Sequence, residues 1–110
     1  GLMMLDADDR ILKLNTRYLD LYGLPRDRDY VGTPLRDIVR LHYELHPASR
    51  TGRGLDEAIE ERMRLHREHS GNWEFALGDQ WILVSDRRTA DGGRVCLRTD
   101  ITKMKRLQLA

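Results

Sequence analysis

One cysteine, Cys96, is all that the 110 residues contain, so an intramolecular disulfide is excluded and a cysteine-built zinc site has no second ligand. A lone thiol fits a reducing compartment, and the chain is expected to be cytoplasmic. No apolar run approaches the roughly 20 residues of a membrane span, and no signal-peptide pattern opens the sequence, so direct membrane insertion is not expected. An excess of one charge is missing too: 19 basic against 18 acidic residues leave a net +1. A dedicated nucleic-acid binder usually carries a basic surplus or a basic face. The only candidate is Arg50 and Arg53 with Lys103, Lys105 and Arg106, and no nucleic-acid partner is expected. There is no repeat and no low-complexity segment. Nor does any nucleophile, base and orienting group recur in a catalytic pattern, so the chain is read as non-catalytic.

What is present is a soluble globular composition, 40% hydrophobic and 34% charged. A chain of this size buries roughly 60–70% of its unfolded surface, enough for one core and one small internal pocket. Leu2–Leu5 and Ile11–Leu14 are short apolar runs around the acidic turn Asp6-Ala7-Asp8-Asp9, the pattern of a β-hairpin. Asn15 and Thr16 can cap a helix whose face carries Tyr18, Leu19 and Tyr22; Gly23 and Pro25 end it after about two turns. Thr33-Pro34 reads as a second start, with Thr33 as cap and Pro34 in the first helical position. Leu35, Ile38, Val39 and His42 follow at helical spacing, and residues 47–54 read as a loop.

A third helix is predicted from about Leu55 to His69. Leu55, Ile59, Met63 and His66 share one side, and Glu60 and Arg64 form a favourable pair four apart on the other. Beyond Ser70-Gly71 the period becomes two. Trp73, Phe75 and Leu77 alternate with polar or small residues, Gly78-Asp79 turns the chain into Trp81–Val84, and Asp91-Gly92-Gly93 turns it again into Val95–Leu97. The expected fold is α+β: a five-stranded antiparallel sheet with short helices packed on one face, in the order strand-strand-helices-three strands. Such a half-open shell leaves room for a pocket between helices and sheet. Trp73, Trp81, Ile82 and Val84 cannot all face inward, so apolar surface is expected outside, and with it a homodimer.

Both the order and the local wording resemble the PAS sensor domains. Residues 1–11 resemble that family's opening hairpin, and Asn15–Pro25 its first helix. Val31–Ile38, Ser85–Val95 and the terminal Asp100-Ile101-Thr102 are similar as well, so the resemblance covers essentially the whole chain. It implies a sensory domain over residues 1–100 and the start of a signalling helix over 101–110, within a longer bacterial protein. The branch most similar to this chain precedes a histidine kinase or a diguanylate cyclase. The implied function is a sensor and dimerisation module, first of a sensor histidine kinase and alternatively of a cyclase, with an effector domain in the same polypeptide. A small stand-alone ligand-binding enzyme is the alternative of another class. Because the sequence opens on Gly1 and stops at Ala110 inside what reads as a starting helix, both ends are expected to be cuts within a longer protein. Asp100, Ile101 and Thr102 would close the last strand, cap the outgoing helix and relay the signal.

A ligand pocket would involve Arg62, Met63, His66 and Phe75, with a small organic molecule or ion as occupant. Arg62 falls in the apolar arc of the third helix, where it must either find an anion or snorkel outward; snorkelling is the expectation. His66 could reach a haem and Trp73 or Trp81 could lie near a flavin, but each is more simply a packed side chain, and no cofactor is expected. Cys96 lies on a strand, which excludes the cysteine–flavin photochemistry of similar domains. His42 and His46 are spaced to share a zinc ion but lack a third ligand, and no metal is expected.

Overall fold

The structure, a computed structural model, describes residues 1–109. Strands β1 (Leu2–Leu5) and β2 (Ile11–Leu14) are followed by helices α1 (Thr16–Tyr22), α2 (Leu35–Leu45) and α3 (Leu55–Glu68). Strands β3 (Gly71–Leu77), β4 (Gln80–Arg88) and β5 (Arg94–Asp100) come next, and α4 (Thr102–Leu109) closes the order. Ala110 lies outside the described residues. The five strands form one antiparallel sheet in the order β2-β1-β5-β4-β3. The first strand therefore sits beside the last, in the middle of the sheet.

Local chemistry explains most boundaries. In the opening turn the Asp6 carboxylate accepts the Asp8 and Arg10 amides at 2.9 and 3.0 Å, which lets Asp9 take a left-handed conformation. The Asn15 side chain caps α1 by accepting the Tyr18 amide at 3.0 Å, and also holds the Leu2 amide at 2.9 Å. One residue thus anchors the first helix to the first strand. Gly23 ends α1 at φ 62°, and a Cβ there would lie 2.3 Å from the His46 ring, so both the angle and the space require glycine.

Three local expectations need correcting. Pro34 is the N-cap of α2, not its first helical residue, because the backbone at 30–34 is drawn into pairing with the start of β2. Pro47–Arg50 is a 3₁₀ turn within the stretch read as loop. Arg64 pairs with Glu61 and Glu68, each at 2.5 Å, while Glu60 reaches across to Arg36 on α2. The i,i+4 rule concerns isolated helices, and here the neighbouring helix offers Glu60 a partner.

The core lies between the inner sheet face and the three helices. Met3, Leu5, Ile11, Phe75, Ile82, Val84 and Cys96 come from the sheet, and Tyr18, Leu35, Ile38 and Ile59 come from the helices. On β4 the inward residues are Ile82, Val84 and Asp86, which turns Trp81 and Leu83 outward. On β5 the inward set is Arg94, Cys96 and Arg98, and the apolar Leu97 points out, 53% exposed.

Candidate functional site

The buried face of α3 is Ala58, Ile59, Arg62, Met63 and His66, a stripe of helical period with an arginine at its centre. Arg62 does not snorkel. It is 5% exposed, its guanidinium lying 4.8 Å from the Phe75 ring centre and 5.5 Å from that of Trp73. Residue 62 projects from the middle of the helix onto the aromatic ladder of β3, so the route to water is covered by the sheet.

A cavity of about 20 Å³ lies beside Arg62, walled by Tyr18 and Tyr22 of α1, Ile38, Val39, His42 and Tyr43 of α2, and Leu77 of β3. That is room for about one water-sized group. It abuts an open groove of about 600 Å³ that shares Tyr22, His42 and Leu77 with it and runs out past Ser49 to Gly78, Asp79 and Gln80. Tyr18 and Tyr22 are four residues apart on one face of α1, with ring centres 4.7 Å apart. Burial pushes the Tyr18 phenol up to about 12, so its hydroxyl stays neutral and able to donate. The His42 Nδ1–H faces the Tyr22 carbonyl at 2.6 Å. Burial lowers its pKa, so it is a neutral wall of the cavity.

The other expected pocket residues divide. Phe75 lies under Arg62, and Met63 is buried in the core beside it. His66 stands apart from the cavity in a polar cluster with β5 and the opening turn. Its Nε2 is 3.3 Å from the Asp9 carboxylate, and Arg94 approaches its Nδ1 at 3.2 Å and donates to its carbonyl at 2.9 Å. Arg94 also faces the buried Asp86 at 3.5 Å, and Asp86 accepts the Trp73 indole N–H at 3.3 Å. Burial, with the Arg94 guanidinium next, drives the His66 imidazole down to about 4 against the upward pull of Asp9. Among the described residues, no group of three or more His, Cys, Asp or Glu side chains could hold a metal ion.

Arg98 was not singled out by sequence. It is 2% exposed, stacked 5.4 and 5.8 Å from the rings of Tyr18 and Tyr22, and its three guanidinium nitrogens make no hydrogen bond. The signal was its phase: position 98 shares a strand face with Cys96, the small apolar residue that marks the inside of β5.

At the junction with α4, the Asp100 carboxylate accepts the Thr102 amide at 2.9 Å and its hydroxyl at 2.5 Å. The same Thr102 oxygen accepts the Trp81 amide at 2.9 Å, and the Ile101 amide donates to the Trp81 carbonyl at 2.8 Å. Lys105 then sits 2.5 Å from Glu74 and over the Trp81 ring. The first turn of α4 is thereby fastened to β4. The Gln80 amide closes the connection, lining the groove and donating to Asp100 at 3.4 Å.

The sequence that folds into this sheet order matches the PAS fold family model across residues 1–109. The chain is a PAS domain. Among solved structures, the PAS domain is similar to the sensor region of a sensor histidine kinase, with a TM-score of 0.60 and 21% identity over 96% of this chain. The match covers 40% of that neighbour, which is the longer chain. No curated protein matches the PAS domain. None of its described helices is long and apolar enough to cross a membrane.

Proposed function

We propose that this PAS domain is the cytoplasmic sensor module of a bacterial histidine kinase. A small molecule taken up between helices and sheet would alter how Asp100-Ile101-Thr102 holds the outgoing helix. The observation that carries the reading is Gln80, which lines the groove and at once donates a hydrogen bond to the Asp100 carboxylate. A ligand that moves the β3–β4 turn moves the group that holds Asp100, and Trp81 beside it holds Thr102 and Ile101. The kinase is chosen over a diguanylate cyclase on the sensor-region neighbour alone. The module works without haem or flavin: the buried His66 ring is enclosed by Asp9 and Arg94, and the Trp73 indole N–H is held by Asp86. The purified domain should therefore be colourless, and a Soret or flavin band surviving gel filtration would overturn that part of the reading.

The relay is tested at Asp100. Asp100→Ala should cost about 1 kcal/mol of stability in the isolated domain, as loss of a cap does. In the full-length protein it should change effector output, with and without stimulus, far more than that small loss explains. Normal regulation in the variant would reduce the triplet to a structural cap.

A further inference from the structure

Four ionised side chains are buried among the described residues: Arg62, Arg94 and Arg98 against the single carboxylate of Asp86. Asp86 is already engaged by Arg94 and by the Trp73 indole. Two guanidinium groups are therefore left in the interior without an anion. Arginine does not lose its proton in proteins, so neither can escape the cost by neutralising. Aromatic faces under both cations offset part of that cost but satisfy none of their N–H groups. Arg98 has three unpartnered nitrogens and Arg62 has Nη1, and the Tyr22 hydroxyl is unpartnered as well. A buried unpaired ion is strongly unfavourable, and such groups persist where something else completes them.

Arg62 and Tyr22 share one cavity, and Arg98 lies behind its tyrosine wall, stacked on Tyr18 and Tyr22. We propose that the cavity is the head-group site for a small organic monocarboxylate. One carboxylate oxygen would accept from Arg62 Nη1 and the Tyr22 hydroxyl, and Arg98 behind the tyrosine pair would supply the second positive charge. The cavity of about 20 Å³ admits one carboxylate oxygen, so the rest of the molecule occupies the adjoining groove. That groove carries Asp20 and Asp79 at its edge, which disfavours a second acidic group on the ligand. The proposal rests on the ligand-sensing reading above and narrows it from a small molecule to an anion of defined valence.

The test uses the domain as described, with sodium acetate and sodium lactate as probes, each matched against its neutral amide and against sodium chloride at equal ionic strength. Melting curves and titration calorimetry are the readouts. Acetate or lactate should raise the melting temperature in a saturable way and bind one to one, and the amides and chloride should not. Arg62→Met and Arg98→Met should melt higher than the parent protein without ligand, since each removes an unpaired buried charge. Arg62→Met should also abolish the carboxylate response, and Tyr22→Phe should weaken it about tenfold or more. Equal responses to lactate and lactamide would overturn the anion assignment while leaving a ligand sensor in place. No response to any carboxylate at tens of millimolar, or a full response in Arg62→Met, would overturn the site. The Asp100→Ala output measurement is independent of these outcomes, so failure of the relay and failure of the anion site are distinguishable.

Discussion

At the scale of single residues, the interior chemistry of this domain is set by how few groups accompany each buried charge. His66 is the most exposed to a change of pH. Its folded pKa of about 4 lies below the ordinary 6.5, so between those values the unfolded chain binds more protons than the folded one. Its contribution to stability is complete above pH 6.5 and is lost as the pH falls toward 4. Melting temperature should therefore drop between pH 6.5 and 5, above the range where most carboxylates titrate, and His66→Gln should make that segment shallower, leaving the smaller share of His42, whose pKa burial also lowers. A variant curve parallel to the parent's would show that another group titrates there. Cys96 behaves oppositely. Burial pushes its thiol up to about 11, and its side chain is wholly covered. At pH 8 an aromatic disulfide reagent should leave it untouched in the native state and react with one equivalent in guanidinium. Rapid labelling of the native domain would contradict its place in the core.

At the scale of elements, the turns carry more specificity than the strands they join. Gly93 closes the β4–β5 hairpin, where a Cβ would meet the Leu5 carbonyl at 2.3 Å. Gly93→Ala must displace β1 or the turn, and should cost roughly 1–3 kcal/mol, as overpacking does; an unchanged denaturation midpoint would mean that the turn yields freely. The elements themselves were largely legible. Asn15 and Gly23 delimited α1 by capping chemistry, and the alternation of Trp73, Phe75 and Leu77 placed β3 in its observed phase. Position 62 was legible as part of an apolar arc, but the decision between snorkelling and burial depends on whether a sheet covers the arginine. No one-dimensional pattern contains that. Strand β5 was harder still: Val95 and Leu97 look like its inner face, yet Arg94, Cys96 and Arg98 are inside. The interior accepts those arginines only because aromatic rings from α1 and a carboxylate from β4 meet them there.

At the scale of the whole molecule, the outer face of the sheet remains apolar in its centre. Leu97 is opposite Leu2 in the β1–β5 pairing, and Met4 lies two residues along the same face. The expected homodimer would cover this patch through the sheet or through an adjoining helix. Leu97→Lys should then shift sedimentation toward the monomer with little effect on melting; a parent domain that sediments as a monomer at every concentration would remove the interface altogether. Ile101, immediately before α4, adds nothing to this patch, since it turns into the domain and is 7% exposed.

The central placement of β1 beside β5 has a mechanical consequence. The Gly1 amino group donates to the Arg98 carbonyl at 2.8 Å, and the Arg98 amide returns a bond of 2.8 Å to the Gly1 carbonyl. Residue 1 and residue 101 are thus at the same end of two antiparallel neighbours. Tension applied between them loads that ladder one rung at a time, as a zip is opened, and does not slide the strands past one another with all rungs strained together. The sheet resists solvent through its core but offers little resistance to a pull on its two ends. Such a pull first exposes Arg98, the cation stacked on the two tyrosines.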